Sequence, residues 1–365
     1  MKMTVCLNMI VKNEANVIQR CLASVKNLID YWVIVDTGST DGTQKIIEDF
    51  LSDIPGNLYE RPWVDFSFNR NEALMLAKSK GDYLLFIDAD EILEFSNSSS
   101  LPSLDKDYYM SFYLYGASTS LRTLLINCRF DWRWNGIIHE NVDCAEATNR
   151  GILNQVTKRG TFDGNRSKDL QKKFRHDIEL LERVAQKEPQ NTRNRFHLAR
   201  HYEAVHEYEL ALKNYEMRAM VGDSCPEVFY SFYRMGLIQK ELGISSEIFI
   251  NNYLKAFQSR TWRAEPLYRL TEYFMGIKAY FLGYLISKIV MTDTLFNDYY
   301  LTINSVYDYE LLSQYVECAF RLGNYQEAYK GLKRLLAVQS LPSDMRESSE
   351  KNLALPVFSE FKAVI

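Results

Sequence analysis

The sequence has no surplus of positive charge. Its 43 Lys and Arg are outnumbered by 47 Asp and Glu, a net charge of −4 at pH 7. Nucleic-acid binders usually carry a basic excess, so no nucleic-acid partner is expected. Long apolar runs are missing as well. The most apolar stretch of the C-terminal half, residues 280–290, is broken by Lys288 and preceded by Lys278, so no membrane span is expected. A basic amphipathic tail is also lacking, which weighs against a lipid-linked partner. The opening apolar segment is short, has no small-residue cleavage site and runs directly into Lys12-Asn13-Glu14, unlike a signal peptide. Cys6, Cys21, Cys128, Cys144, Cys225 and Cys318 include no CxxC pair. That spacing fits reduced thiols in a cytoplasmic protein better than disulfides or a zinc site.

What is present points to two folded domains. A chain of 365 residues exceeds one ordinary core, and 47% apolar with 25% charged residues is the composition of a globular protein. The abundant aromatics, 24 Tyr and 20 Phe, suit helix packing or a carbohydrate or peptide groove. Strand and helix patterns alternate in the first half. Residues 4–11, 31–35, 58–61 and 83–87 read as strands, and 16–25, 43–51 and 67–77 as the helices between them. This βαβαβαβ order predicts a Rossmann-like, mostly parallel sheet with helices on both faces. Two more strand-like runs follow at 108–115 and 121–130.

From about residue 167 strand signals fade and helical patterns take over. Leu198, Ala199, Tyr202, Ala211 and Tyr215 have the spacing of a tetratricopeptide helix pair. Similar frames fit Met235, Gly236 and Ile248, then Leu270, Thr271, Phe274 and Gly283. A last frame, Tyr315, Ala319, Ala328 and Leu332, is out of step, so an irregular repeat is expected before it. The division is accordingly an α/β domain over residues 1–166 and an all-α, tetratricopeptide-like domain over 167–365. Solenoids of this kind offer concave peptide-binding surfaces. They often dimerise, so homodimerisation stays open.

Chemistry-bearing residues cluster at the strand ends. The apolar run 83–87 stops at Asp88-Ala89-Asp90, and alternation along a strand puts the two carboxylates on one side. Paired carboxylates at the carboxyl end of a parallel strand suit a divalent cation clamped on a diphosphate. The second strand ends in Asp36-Thr37-Gly38-Ser39-Thr40-Asp41-Gly42. There Asp36 can accept from a base imide or a ribose, and the small residues let backbone approach a ligand. Arg70, in Phe68-Asn69-Arg70-Asn71-Glu72-Ala73, offers a guanidinium to a base or phosphate. Each segment alone also reads as a turn, a helix cap or an exposed helix residue. In a parallel sheet, however, all of them meet along one edge.

The succession MIVKNE (9–14), VDTGSTDGT (35–43), FNRNEAL (68–74) and FIDADE (86–91) resembles family 2 glycosyltransferases, inverting enzymes of the GT-A fold. The segment WRWNGIIHE (132–140) is similar to the W-x-G-x-x-H-E element of one branch of that family. The resemblance covers about residues 3–145. It implies that Asp36 contacts the nucleotide base together with the turn of Val11, Asn13 and Glu14, and that Gly38, Ser39, Asp41 and Ala89 complete the donor-binding set. Arg70 would lie near the base or diphosphate. Asp90 would be the principal metal ligand, with Asp88 near ribose and metal, and His139 would be a further metal ligand. Glu140 is the implied general base, with Asp131, Glu91 and Asp143 as competing carboxylates.

A GT-A domain followed by tetratricopeptide-like helices is similar to bacterial peptide and protein glycosyltransferases of the sublancin (glycocin) S-glycosyltransferase type. The resemblance implies a UDP-sugar donor (UDP-glucose or UDP-N-acetylglucosamine) with Mn²⁺ or Mg²⁺. The acceptor would be a Cys or Ser/Thr side chain of a peptide or protein recruited by the helices. Two alternatives stay open, a lipooligosaccharide or capsule glycosyltransferase and a non-catalytic GT-A-like binding protein. A nucleotidyltransferase would show a Gly-rich, basic loop near the N-terminus, and residues 9–14 contain no glycine.

Overall fold

A computed structural model describes residues 3–96, 100–116, 118–161, 163–165, 169–221, 225–292, 294–296 and 298–363. The chain divides into two compact units, Met1–Glu188 and Pro189–Ile365. The expected border at 166/167 falls on residues outside that description. The helix just after it, which patterning assigns to the helical half, groups with the first unit.

The first unit begins with β1 (Val5–Val11), α1 (Ile18–Val25), β2 (Tyr31–Asp36), α2 (Thr43–Phe50), β3 (Gly56–Glu60), α3 (Phe66–Ala77) and β4 (Tyr83–Phe86). β1 alternates its contacts as a strand buried on both faces must. Val5, Leu7 and Met9 share a core with Ile18, Leu22 and Ile47, while Cys6 joins Val33, Leu84 and Phe86 on the opposite face. The one polar side chain in the strand, Asn8, is satisfied by donating to the Ala73 carbonyl at 2.9 Å. α1 buries Ile18, Cys21, Leu22 and Val25, the i, i+3, i+4, i+7 stripe of an amphipathic helix. α3 starts where Asp65 accepts a hydrogen bond from the Phe68 N–H at 2.7 Å.

β3, β2, β1 and β4 lie side by side in that order, all parallel. The chain steps outward from β1 to β3 and then returns to β1's other edge for β4. That reversal opens a crevice beyond the carboxyl ends of β1 and β4, the usual ligand position in such sheets.

Beyond β4 the sheet becomes mixed. β5 (Glu91–Phe95), β6 (Tyr108–Tyr115), β7 (Ser118–Asn127) and β10 (Arg150–Gly160) extend it in the order β4-β7-β6-β10-β5. Here β4–β7, β7–β6 and β10–β5 pair antiparallel, and β6–β10 parallel. β8 (Arg133–Asn135) and β9 (Asn141–Asp143) form a separate antiparallel hairpin, and α4 (Leu170–Lys187) closes the unit. β5, β8, β9 and β10 are absent from the sequence expectation, and β7 starts and ends three residues earlier than the apolar run suggests.

The second unit consists of α5 (Thr192–Ala204), α6 (Tyr208–Ala219), α7 (Pro226–Glu241), α8 (Ser246–Ser259), α9 (Glu265–Gly276), α10 (Tyr280–Ser287), α11 (Leu311–Arg321), α12 (Tyr325–Leu336) and α13 (Ser343–Leu353). Four consecutive pairs, α5/α6, α7/α8, α9/α10 and α11/α12, pack as helical hairpins in the expected tetratricopeptide-like frames. The frame residues Leu198, Ala199, Tyr202, Ala211 and Tyr215 are all buried. Gly236 is required by close approach, since a Cβ there would fall 2.5 Å from the Tyr253 ring. The break in register is real. Residues 288–310 interrupt the repeat with a 3₁₀ turn (Lys288–Met291) and a π turn (Val306–Glu310) before α11. Among the described residues no helix is long and apolar enough to cross a membrane.

Candidate functional site

The turns after β1 and β2 are sewn together. Val11 pairs with Asp36 in register, and the Thr37 N–H and hydroxyl both reach the Val11 carbonyl. Asn13, at φ 55°, donates its N–H to Ser39 Oγ at 2.8 Å and accepts the Thr40 N–H on Oδ1 at 2.8 Å. The Glu14 N–H donates to Thr43 Oγ1 at 2.9 Å, and the Ala15 N–H to Asp41 Oδ2 at 3.0 Å. Burial alone would raise the Asp41 carboxyl, but bonds from Thr43 and Ala15 hold it below its ordinary value. Asn13, Ser39 and Asp41 therefore shape the rim of the crevice by holding its two turns together.

Asp36 sits beneath that rim and is 1% exposed. Its Oδ1 accepts the Gly38 and Ser39 N–H groups at 2.8 and 2.7 Å, while Oδ2 is buried with no partner. An orphaned carboxylate oxygen is costly, and a ligand N–H or O–H would satisfy it. Gly38, at φ +104°, is the residue the turn demands just above it.

Asp88, Ala89 and Asp90 lie in the turn after β4, and the two carboxylates occupy different environments. Asp88 Oδ1 accepts from Arg70 Nη2 at 2.7 Å, and its N–H donates to Glu91 Oε2 at 2.9 Å. Desolvation alone would raise the Asp88 carboxyl, but Arg70, Lys158 and Arg122 hold it below the ordinary range. The Asp90 carboxyl is pushed up to about 6 by desolvation and by Asp88 and Glu91. Among the described residues no Lys or Arg forms an ion pair with it.

Arg70 also donates from Nε to Glu140 Oε1 at 2.6 Å and lies over the Trp134 ring, 4.9 Å from its centroid. Arg70 and Glu140 are about one-tenth exposed. The β8–β9 hairpin that carries His139 and Glu140 is gripped by one face of α3. Ser67 Oγ donates to the Gly136 carbonyl at 2.5 Å, and Asn71 exchanges two 2.9 Å hydrogen bonds with the Trp134 backbone. Positions 67, 70 and 71 share a helix face, so FNRNEA and WRWNGIIHE meet there. His139 is exposed in the hairpin turn at φ 55°.

Asp131 is not brought to this site. It pairs with Lys78, the residue that caps the other end of α3, because β7 runs antiparallel to β4 and delivers residues 128–131 to the opposite end of the sheet. Asp143 closes the hairpin and accepts from Asn141 Nδ2 at 2.6 Å. Glu91, 3% exposed, is neutralised by Lys158 of β10 at 3.1 Å.

A cation on a diphosphate needs only one or two protein oxygens, the phosphates and water supplying the rest. The half-buried Asp90, which Lys173 lowers only weakly against desolvation and which has no ion-pair partner among the described residues, fits that role. Among the described residues no group of three or more His, Cys, Asp and Glu side chains is arranged to hold a metal unaided. Residues that sequence reasoning missed include Trp134, Lys158 and the residues after β10 that approach Asp90. Only the tryptophan, inside the quoted motif, had a local signal.

Residues 6–108 match the family model for glycosyl transferase family 2. A TPR repeat-containing protein of Synechococcus elongatus is 36% identical over 148 residues, 38% of this chain and 35% of that protein. The SPbeta prophage-derived glycosyltransferase SunS of Bacillus subtilis is 26% identical over 224 residues, 57% of this chain and 51% of that protein. An uncharacterized glycosyltransferase of Rickettsia bellii is 38% identical over 84 residues, covering 23% of this chain and 26% of that protein. The matched segments thus span at most about half the length of these relatives.

Proposed function

We propose, from the match of residues 6–108 to the family model for glycosyl transferase family 2, that this protein is an inverting hexosyltransferase. It takes a UDP-sugar, UDP-glucose or UDP-N-acetylglucosamine, and passes the hexose to a Cys or Ser/Thr side chain of a peptide or protein. The observation that carries this reading is the pair of unmet demands at one sheet edge. Asp36 Oδ2 is buried without a donor, and Asp90, whose carboxyl is raised although Lys173 acts to lower it, forms no ion pair with a Lys or Arg among the described residues. A nucleoside diphosphate with its cation answers both, the base or ribose at Asp36 and the metal at Asp90. Kinship with SunS, a glycosyltransferase by name, favours this reading over a generic nucleotide-binding protein.

In the proposed reaction an acceptor atom attacks the anomeric carbon from the face opposite the leaving group. The bond to the diphosphate breaks as the new glycosidic bond forms, inverting the configuration. Mn²⁺ or Mg²⁺, held by Asp90 with Asp88 or His139 beside it, would neutralise charge developing on the diphosphate. Asp36 and the joined turns of Val11, Asn13, Glu14, Gly38, Ser39 and Asp41 orient the nucleoside. Arg70 aims the Glu140 carboxylate by gripping one of its oxygens, and Glu140 takes the proton of a hydroxyl acceptor. A thiol, with an ordinary pKa of about 8.5, needs less of that help. The tetratricopeptide-like helices supply the kind of surface that binds an extended polypeptide acceptor.

The test is a screen of nucleotide sugars for hydrolysis and thermal stabilisation, with Mn²⁺ and with EDTA. Turnover of one UDP-sugar that EDTA stops is the expected result. A folded protein that turns over no donor, with or without peptide, would leave the non-catalytic binding reading in its place.

A further inference from the structure

Asp90 is fixed from outside its own turn. The chain leaving β10 folds back over it, and the Thr161 N–H and hydroxyl lie 3.0 and 2.7 Å from the Asp90 carbonyl oxygen. Gly164 lies directly against the Asp90 side chain, where a Cβ would come within 2.8 Å of Asp90 Cβ and Oδ2. The Asn165 N–H donates to the Glu14 carboxylate at 3.0 and 3.2 Å, tying the same segment to the turn after β1.

One side chain anchors this segment. Arg20, from the outward face of α1, makes a fork to Asp163, with Nη1 to Oδ2 at 2.9 Å and Nη2 to Oδ1 at 2.8 Å. Its Nη2 also donates to Thr161 Oγ1 at 2.7 Å, which leaves the Thr161 hydroxyl proton for Asp90 O or for Asp163 Oδ1 at 2.6 Å. Arg20 and Asp163 are each nearly half exposed, 43% and 48%. An ion pair in that setting adds little to global stability, yet its bidentate geometry fixes direction. Its effect is therefore local.

We infer that Arg20 and Asp163 are positioning residues for Asp90. They hold Thr161 and Gly164 over the aspartate, so that the cation and diphosphate of the donor meet a carboxylate already in place. Ordering that would otherwise be deducted from binding is completed in the fold. The inference rests on the donor-side role proposed for Asp90, and it makes a distinct claim about residues that lie outside every motif of the site.

The test uses the full chain with Arg20→Ala, Asp163→Asn and the conservative Arg20→Lys. Calorimetric titration with UDP should show Kd in Mn²⁺ rising roughly three- to tenfold in the first two variants. Arg20→Lys should fall between them and the parent, and Kd in EDTA should not move. Donor KM should rise with kcat nearly constant. Hydrogen exchange without any ligand should quicken at the Thr161 and Asn165 amides while β1 and β2 stay protected. Unchanged exchange at those amides would overturn the inference, as would an equal loss of UDP affinity with and without Mn²⁺. If the parent protein binds no UDP, the donor reading fails by itself, and the exchange measurement still decides whether Arg20 holds the segment.

Discussion

Glu265 and Asp90 are both acidic side chains drawn out of water, and only one of them has been given a cation. In the helical unit Glu265 and Arg263, each 1% exposed, face one another at 2.7 Å, with Asp298 on the other side of the guanidinium. Glu227 likewise holds Arg218 at 2.9 Å and Arg193 at 2.8 Å. At the ends of β1, β2 and β4 the arrangement differs. Asp88 and Glu140 share one arginine, Asp90 has no ion-pair partner among the described residues and only a weak pull from Lys173, and Asp36 keeps a buried oxygen unpaired. The scaffold neutralises its desolvated acids from within, whereas the crevice leaves that to something arriving from solvent. Neutral groups such as the Tyr253 hydroxyl are also left unpaired in the helical unit, but an unmet buried carboxylate oxygen is costlier and is the stronger marker of a site.

Four changes would break or sharpen that contrast. The largest effect is expected from Asp90→Asn, which should cut metal-dependent turnover on the order of 100- to 1,000-fold; unaltered turnover would move the donor site elsewhere. Glu265→Ala should leave the Arg263 guanidinium in the helical core with Asp298 and the Tyr300 carbonyl but without its bidentate partner, and cost about 3 kcal/mol in denaturant unfolding. UDP affinity measured where that variant is still folded should hold, and a matching loss would mean the scaffold charges serve the site. Glu140→Gln should slow transfer to a hydroxyl acceptor roughly 100-fold with UDP affinity nearly intact; normal transfer would assign the base to another group.

The smallest effect is in the pH dependence of stability, where the contributions of Asp90 and His197 should run oppositely. The folded Asp90 carboxyl titrates near 6 instead of 3.8, so the native state holds its proton more tightly than the unfolded chain does. Its contribution is full at low pH and is lost as pH rises through that window, on the order of 1–3 kcal/mol in metal-free protein. Burial, with Arg200 and Arg193 beside it, lowers His197 well below its ordinary 6.5, so there the unfolded chain takes up the proton first. Stability of the helical unit should therefore fall as pH drops below about 6.5. Urea unfolding from acid to neutral pH, with Asp90→Asn and His197→Gln as controls, checks both signs. The change in slope on Asp90→Asn and that on His197→Gln should have opposite signs, and equal signs would refute the contrast.

The parallel half of the sheet was legible because its signal is local. Uninterrupted apolar runs such as residues 83–87, each ending in turn-forming or acidic residues, announce buried strands and where they stop. The frames around Leu198, Met235 and Leu270 were legible for the same reason, one period recurring along the chain. β10 was not. Its sequence, Arg-Gly-Ile-Leu-Asn-Gln-Val-Thr-Lys-Arg-Gly, is polar and contains two glycines, and it becomes a strand through pairing with β6 and β5. Its pairing with β6 shifts register between Leu153 and Thr157, which no alternation pattern would reveal. The site followed the same rule. Asp36, Arg70 and Asp88 could be read from turn chemistry and strand ends. The neutralisation of Glu91 by Lys158 and the anchoring of Asp163 by Arg20 depend on contacts between distant segments. Proximity in sequence also misleads, since Asp131, just before one motif, and Glu140, its last residue, end up at opposite ends of the sheet.

The sewn turns after β1 and β2 have a consequence for redesign. Asn13 reaches Ser39 and Thr40, while Thr43 and Asp41 reach back to Glu14 and Ala15. Neither turn keeps its shape without the other. An attempt to change the nucleotide proposed for the crevice by transplanting residues 36–43 alone would bring in a turn whose fasteners have no matching eyelets. The transferable cassette is the two turns together, and libraries that vary them independently would consist mostly of mismatched halves.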